Sequence, residues 1–134
     1  MTKSTETILR VRYGETDKMG YVYYGNYAEY YEVGRIEWLR SRGISYRDME
    51  IEGIMAPVIS FNSRYIKPAR FDDEIRIKTT VDSKPGYKMT FSYTIFNQSN
   101  EVLSTAETTL VFINMKSQKI IRCSSEFLQK CGFQ

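Results

Sequence analysis

Along most of its length the chain alternates apolar and polar residues with a period of two. Residues 74–82 set Ile75, Ile77 and Val81 against Arg76, Lys78 and Thr80, and residues 88–97 put Met89, Phe91, Tyr93 and Ile95 on one side. Residues 57–66 carry Ile59, Phe61 and Tyr65 on one face, with Pro57 and Pro68 at the ends, where a missing N–H does no harm to a ladder. Residues 102–115 place Ala106, Leu110 and Phe112 opposite Val111 and Ile113. Residues 7–13 repeat the pattern, with Leu9, Val11 and Tyr13 opposite Arg10 and Arg12. This period marks half-buried strands. Residues 83–86 and 97–100 have the composition of hairpin turns. A short last strand is predicted over 119–122, then a helix capped by Ser124 or Ser125 and ending near Lys130.

One stretch breaks the alternation. From Asn26 onward Tyr27, Tyr31 and Trp38 share a helical face, and Ala28, Tyr30 and Leu39 widen it. A stripe this broad belongs to a helix covered on several sides. Asn26 followed by Glu29 resembles a capping box. Gly34 costs this helix about 1 kcal/mol of propensity, which suggests that another backbone comes close there. Arg40 and Arg42 suit the C-terminal end of the helix dipole, and Gly43 is a good stop. Residues 45–53 read as an irregular or short helical connection. Strand, long helix, then strands on short connections is an α+β order with an antiparallel sheet. A curved sheet folded around the helix would cover it, and 134 residues suit a single domain, 1–134.

Composition narrows the chemistry. The apolar share of 42% and charged share of 26% are those of a globular protein. The net charge of +3 is compatible with an anionic small ligand. The basic residues are scattered, which argues against a nucleic-acid-binding face. No signal-peptide pattern and no membrane-spanning run is seen, so a cytoplasmic location is expected. Cys123 and Cys131 are too few for a disulfide framework or a four-cysteine metal site. There is no histidine at all. Histidine-based triads and HExxH metal sites are therefore excluded, and a proton carrier near neutral pH is most simply a carboxylate.

The carboxylate best placed for chemistry is Asp17. It lies in a loop just ahead of the long helix, whose first N–H groups have no partner within the helix. Read alone, such an aspartate is ordinarily a turn or cap residue. Glu32 and Arg35 are spaced as an i,i+3 ion pair. Glu29 reads as a cap and as the second candidate acid, and Glu15 as a solvated loop charge. Six of the eleven tyrosines fall between Tyr21 and Tyr31. Tyrosines at helical spacing usually pack in cores, but Tyr24 and Tyr27 lie close enough to Asp17 in sequence to line a pocket.

The pattern Tyr13-x-x-Thr16-Asp17-x-x-Gly20-x-Val22-x-Tyr24-x-Asn26-Tyr27, then Glu32-x-x-Arg35, resembles the signature of hotdog-fold acyl-CoA thioesterases. A second block, Tyr65-Ile66-Lys67-Pro68-Ala69-Arg70 with Asp72 and Asp73, resembles the same group. The similarity is to the 4-hydroxybenzoyl-CoA thioesterase family, including its Tol–Pal-associated branch, and runs from about Leu9 to Glu126. It implies one helix wrapped by a curved antiparallel sheet of about five strands. It implies dimers or dimers of dimers, acyl-CoA as substrate, and no metal or organic cofactor. Asp17 takes the place of the catalytic carboxylate, and the backbone N–H of Tyr24 that of an oxyanion-hole donor. Gly20, Val22 and Tyr27 fall in the substrate site, and Ala56, Pro57 and Val58 approach the acyl group from the partner subunit. Lys84 and Lys88 meet the CoA phosphates, with Arg64 and Lys67 as alternatives. Many members of the Tol–Pal branch have histidine where this chain has Tyr24; a backbone donor survives that change. Whether Asp17 attacks the thioester or activates water stays open. Hydrolysis of acyl carrier protein thioesters and a non-catalytic acyl-CoA-binding module are the competing readings.

Overall fold

The computed structural model describes residues 3–134. In chain order the elements are β1 (Ser4–Arg10), α1 (Tyr27–Ser41), α2 (Tyr46–Ile51), β2 (Ile54–Met55), β3 (Val58–Tyr65) and β4 (Glu74–Thr80). They continue with β5 (Lys88–Phe96), β6 (Val102–Val111), β7 (Ile113–Asn114), β8 (Lys119–Ile120) and α3 (Ser125–Lys130). Five strands form one curved antiparallel sheet in the order β1-β4-β5-β6-β3, and β2, β7 and β8 form a small second sheet. α1 lies against β1, β4 and β5. The wrapped-helix architecture that the resemblance implies is thus the observed one.

The alternation of β4 and β5 is preserved in the fold. Ile75, Ile77, Met89, Phe91, Tyr93 and Ile95 are all buried. They meet Tyr27, Tyr30, Tyr31, Trp38 and Leu39 from α1. Burying one large apolar side chain contributes about 1.5–3 kcal/mol. Trp38 packs edge-on against Phe91, with centroids 5.8 Å apart, and donates its indole N–H to the Lys3 carbonyl. Ser45 and Ser124 cap α2 and α3 by accepting from the N–H of Asp48 and Phe127.

Several expectations are corrected. β1 ends at Arg10, and Tyr13 lies in a one-turn 3-10 segment, Tyr13–Glu15, with its ring 77% exposed. The Glu15 carboxylate accepts from the Arg12 N–H at 2.8 Å and so turns the chain away from the sheet. The 102–115 strand breaks after Val111: Phe112 turns in to pack against Phe127, and β7 joins the second sheet. In β3 a register shift between Val58 and Ser60 interrupts the alternation. Val58 opposes Leu110 and Phe61 opposes Thr108, so these two share a face and Ile59 falls in the bulge. The link from β4 to β5 is a longer bend rather than a tight hairpin, with Pro85 buried in it. The 97–100 turn forms as expected, with the Asn100 N–H donating to the Asn97 carbonyl.

Gly34 sits where α1 crosses the sheet. A Cβ there would lie 2.5 Å from Thr79 Oγ1 and 2.9 Å from Ile77 Cγ2. Both neighbours are β-branched and stiff at χ1, so neither swings aside. Gly34→Ala therefore gains about 1 kcal/mol of helix propensity but loses about 1–3 kcal/mol to overpacking. We expect a lower urea midpoint with an unchanged m-value; a midpoint equal to or above wild type would show that α1 moves freely on the sheet.

Candidate active site

The helix begins earlier than its sequence suggests. A 3-10 turn, Tyr24–Asn26, leads directly into α1, and Tyr23 is its extended N-cap. Asn26 already has helical backbone angles and makes no side-chain cap. Its Nδ2 donates instead to the Glu15 carbonyl at 2.8 Å. The Tyr23 N–H donates to the same carbonyl at 2.9 Å. Glu15 thus holds the helix start through its backbone, and it also grips it through its side chain. Oε1 accepts from the Tyr30 hydroxyl at 2.9 Å, and the Arg12 guanidinium lies 3.3 Å from Oε2. The side chain is only 13% exposed, so Glu15 is a structural anchor rather than a solvated charge.

Burial opposes ionisation of Glu15, but the Arg12 N–H, the Tyr30 hydroxyl and the Arg12 guanidinium together outweigh it. The carboxyl is held below its ordinary value of 4.5. Tyr30 is pushed strongly up, first by burial and then by the carboxylate it donates to.

Asp17 follows two residues later. Its backbone N–H donates to the Tyr21 carbonyl at 2.8 Å, and its carbonyl accepts from the Gly20 N–H at 3.0 Å. Gly20 makes this turn with φ of +80°, a conformation that penalises a side chain. Asp17 Oδ1 accepts from the N–H groups of Met19 at 2.9 Å and Tyr21 at 3.2 Å. The carboxylate is oriented by these bonds, and among the described residues none reaches Oδ2. The N–H of Tyr24, first in the helical run, likewise meets no acceptor among them.

Between these two groups lies a cleft of about 290 Å³, lined by Asp17, Val22, Tyr24, Tyr27 and the segment from Tyr65 to Pro68. Tyr27 packs edge-on against Tyr65, with centroids 4.9 Å apart. A carboxylate with a free oxygen beside an unpaired helix N–H supplies a base or nucleophile together with a donor for developing negative charge.

The structure therefore gathers Asp17, Val22, Tyr24 and Tyr27 around one cleft, while Gly20 sits in the adjoining turn and does not line it. It does not bring Ala56, Pro57, Val58, Lys84 or Lys88 there within one chain. Those five lie at the other end of the sheet, where Lys88 pairs with Val111, and the Val111 N–H meets the Pro57 carbonyl. Ala56 and Pro57 line a separate cavity with Tyr46 and Met49. Of the alternative cations, Lys67 lines the cleft but is paired with Glu101. Glu29 is exposed and caps nothing, whereas Glu32 and Arg35 form their i,i+3 pair at 3.7 Å. Sequence reasoning missed Tyr30 and the role of Glu15. It also missed Tyr65 and Pro68 as cleft residues, although both stand in the second block of the resemblance.

A helix held by a curved antiparallel sheet, with an acid and a helix N-terminus facing one cleft, defines a hotdog-fold thioester hydrolase. Comparison with known families agrees: residues 11–131 match the thioesterase-like superfamily, and the chain belongs to it. The Bacillus subtilis protein YneP is 34% identical over 119 residues, covering 89% of this chain and 86% of YneP. The acyl-CoA thioester hydrolase YbgC of Escherichia coli O6:H1 is 33% identical over 111 residues, 83% of each chain. A DHNA-CoA thioesterase structure from Staphylococcus aureus superposes with a TM-score of 0.86 at 38% identity, covering 89% of this chain and 80% of that one.

The Glu15 anchor has a pH signature. A folded pKa below the unfolded one stabilises the fold fully above about pH 4.5, and this stabilisation is lost as the pH falls through the folded value. Glu15→Gln is expected to cost about 1–3 kcal/mol at pH 7. The gap between wild type and variant in urea unfolding should close on acidification below about pH 4.5. A gap that does not vary with pH would mean that the charge on Glu15 is not what holds the helix start.

Proposed function

We propose that this chain hydrolyses acyl-CoA thioesters, with Asp17 as the reacting carboxylate and the Tyr24 N–H as the oxyanion donor. The observation that carries the reading is the pairing of a positioned Asp17, one oxygen unengaged, with an unpaired helix-start N–H across one cleft. In the general-base route Asp17 takes a proton from water as the water oxygen bonds the thioester carbon. The carbonyl oxygen becomes negative and is held by the Tyr24 N–H. Collapse breaks the C–S bond, and the proton passes from Asp17 to the leaving thiolate. In the nucleophilic route the carboxylate itself bonds the carbon and expels the thiolate, and water then opens the mixed anhydride. Single turnover in heavy-oxygen water tests the nucleophilic route: water that opens the anhydride at the Asp17 carboxyl carbon labels the aspartate, which the general-base route never does. Both routes need neither metal nor organic cofactor, because the thioester is already electrophilic.

The same reading includes a homodimer or a dimer of dimers. β3 is an outer strand of the sheet, with Val58, Ile59, Phe61 and Tyr65 between 41% and 52% exposed. An apolar strand edge of this kind is a template for pairing. Two copies joined antiparallel along β3 would bring Ala56, Pro57 and Val58 of one copy toward the Asp17 cleft of the other. Lys84 and Lys88 are assigned to the CoA phosphates from that same side.

Two results are expected. Asp17→Asn lowers kcat in a free-thiol assay on short, long and aromatic acyl-CoAs by about a thousandfold or more while the melting temperature holds. Near-normal turnover would remove Asp17 from the chemistry, and turnover of acyl carrier protein thioesters alone would reassign the substrate. Phe61→Lys shifts the native mass by sedimentation toward the monomer and lowers turnover with it; an unchanged mass would place the interface elsewhere.

A further inference from the structure

In the proposed mechanism Asp17 serves the carbonyl carbon and the Tyr24 N–H the carbonyl oxygen. The departing sulfur has no proton donor of its own. Besides Asp17, five side chains lining the cleft carry a transferable proton: Tyr21, Tyr24, Tyr27, Tyr65 and Lys67. Four of them are engaged or turned elsewhere. The Tyr21 ring lies under the Arg70 guanidinium, 4.8 Å from the ring centroid. The Tyr24 ring rests on Tyr23 at the outer rim, with centroids 4.7 Å apart. Tyr27 is buried, and Lys67 is ion-paired with Glu101. Tyr65 is the fifth. It is half-exposed, and its hydroxyl meets no hydrogen-bond partner among the described residues.

The fold fixes Tyr65 in place. It is the last residue of β3, where the strand still pairs with Ser104 of β6. Just beyond it the N–H groups of Ile66 and Lys67 both donate to the Leu103 carbonyl, at 2.8 and 3.1 Å. The Tyr65 ring stands edge-on to Tyr27, with centroids 4.9 Å apart. Such a contact sets the plane of the ring and leaves the hydroxyl at its tip free. The carboxylate and the helix N–H thus come to the cleft from the loop and the helix start, and the phenol comes from the sheet.

We propose that Tyr65 is the general acid that protonates the leaving thiolate. This rests on the thioesterase reading above. The need for an acid follows from leaving-group chemistry. When a carboxylate bonds the thioester carbon, the tetrahedral intermediate can expel either the carboxylate or the sulfur. Carboxyl groups ordinarily ionise near about pH 4 and alkyl thiols near about 8.5, so the carboxylate leaves more readily and the thioester re-forms. A proton delivered to the sulfur reverses that order. The C–S bond breaks with its electron pair on sulfur, the sulfur takes the Tyr65 proton, and the carbonyl re-forms as the mixed anhydride. The water that opens the anhydride gives one proton back to the phenolate and the other to solvent. In the general-base route Tyr65 hands its proton to the sulfur and recovers one from Asp17.

The test removes the hydroxyl and varies the leaving group. Tyr65→Phe keeps the ring on Tyr27. Its kcat is compared with that of wild type on one acyl group carried by two thiols: CoA, and 5-thio-2-nitrobenzoate, an arylthiolate that departs without a proton. On the CoA thioester kcat should fall about a hundredfold or more, the usual share of a general acid. On the aryl thioester it should fall about threefold or less, because no proton is needed there. Equal losses on both would give Tyr65 a structural role and overturn the proposal. An unchanged kcat on the CoA thioester would overturn it and leave the thioesterase reading intact. Wild type alone supplies a second measurement: across alkyl and aryl thioesters of the same acid its kcat should vary little. A steep rise in wild-type kcat with the acidity of the thiol would also overturn the proposal. No turnover of any thioester by wild type would overturn both readings together.

Discussion

The site depends on the two ends of Glu15. Its carbonyl takes the N–H of Tyr23 and the amide of Asn26, and its carboxylate takes the N–H of Arg12 and the hydroxyl of Tyr30. One residue thereby ties the end of the first strand region, the start of the helical run and a point further along α1. Asp17, two residues on, inherits its position from these bonds. Hydrogen bonds to a charged, half-dry acceptor are stronger than neutral ones. A loop secured this way uses one oxygen of the Asp17 carboxylate for its own turn and leaves the other without a partner among the described residues.

This division of labour between two neighbouring acids explains why the helix start is left open. Asn26, already inside the helical run, gives its amide to Glu15, and the Tyr24 N–H at the start of the run meets no acceptor among the described residues. A Cβ on Gly25 would stand 2.7 Å from the exposed Tyr23 ring, which packs over the turn. An unpaired helix terminus costs stability in an empty site. In the mechanism we propose, the Tyr24 N–H would bind a developing negative oxygen more tightly than the neutral carbonyl it came from.

Much of the fold was legible because β4 and β5 keep a strict period of two and α1 a broad apolar stripe. The misread points are those where a distant partner outbids local preference. Asn26 with Glu29 looked like a capping box until Glu15, eleven residues upstream, engaged the amide. The β6 strand stops because Phe112 finds Phe127, and β1 stops because Glu15 reaches back to Arg12. Neither partner is visible in a local pattern. The candidate site was legible in part for a related reason. Asp17 to Tyr27 is contiguous, so its members meet whatever the rest of the chain does. Residues 56–58, Lys84 and Lys88 lie at the far end of the sheet because of strand order, and a linear reading does not supply that order.

The two outer strands of the sheet carry different surfaces. β1 exposes Glu6 and Arg10 on its length, and salt bridges to Arg76, Asp72 and Glu74 occupy them. Charges on an edge discourage further pairing. β3 exposes Val58, Ile59, Phe61 and Tyr65 instead, and the Ile59 bulge twists its first residues without adding a charge to them. One edge is protected and the other is offered. The offered edge is also the one that carries Tyr65 into the Asp17 cleft and Val58 into a second cavity beside Arg35. The strand with the apolar edge therefore already holds a wall of both cavities within the same eight residues.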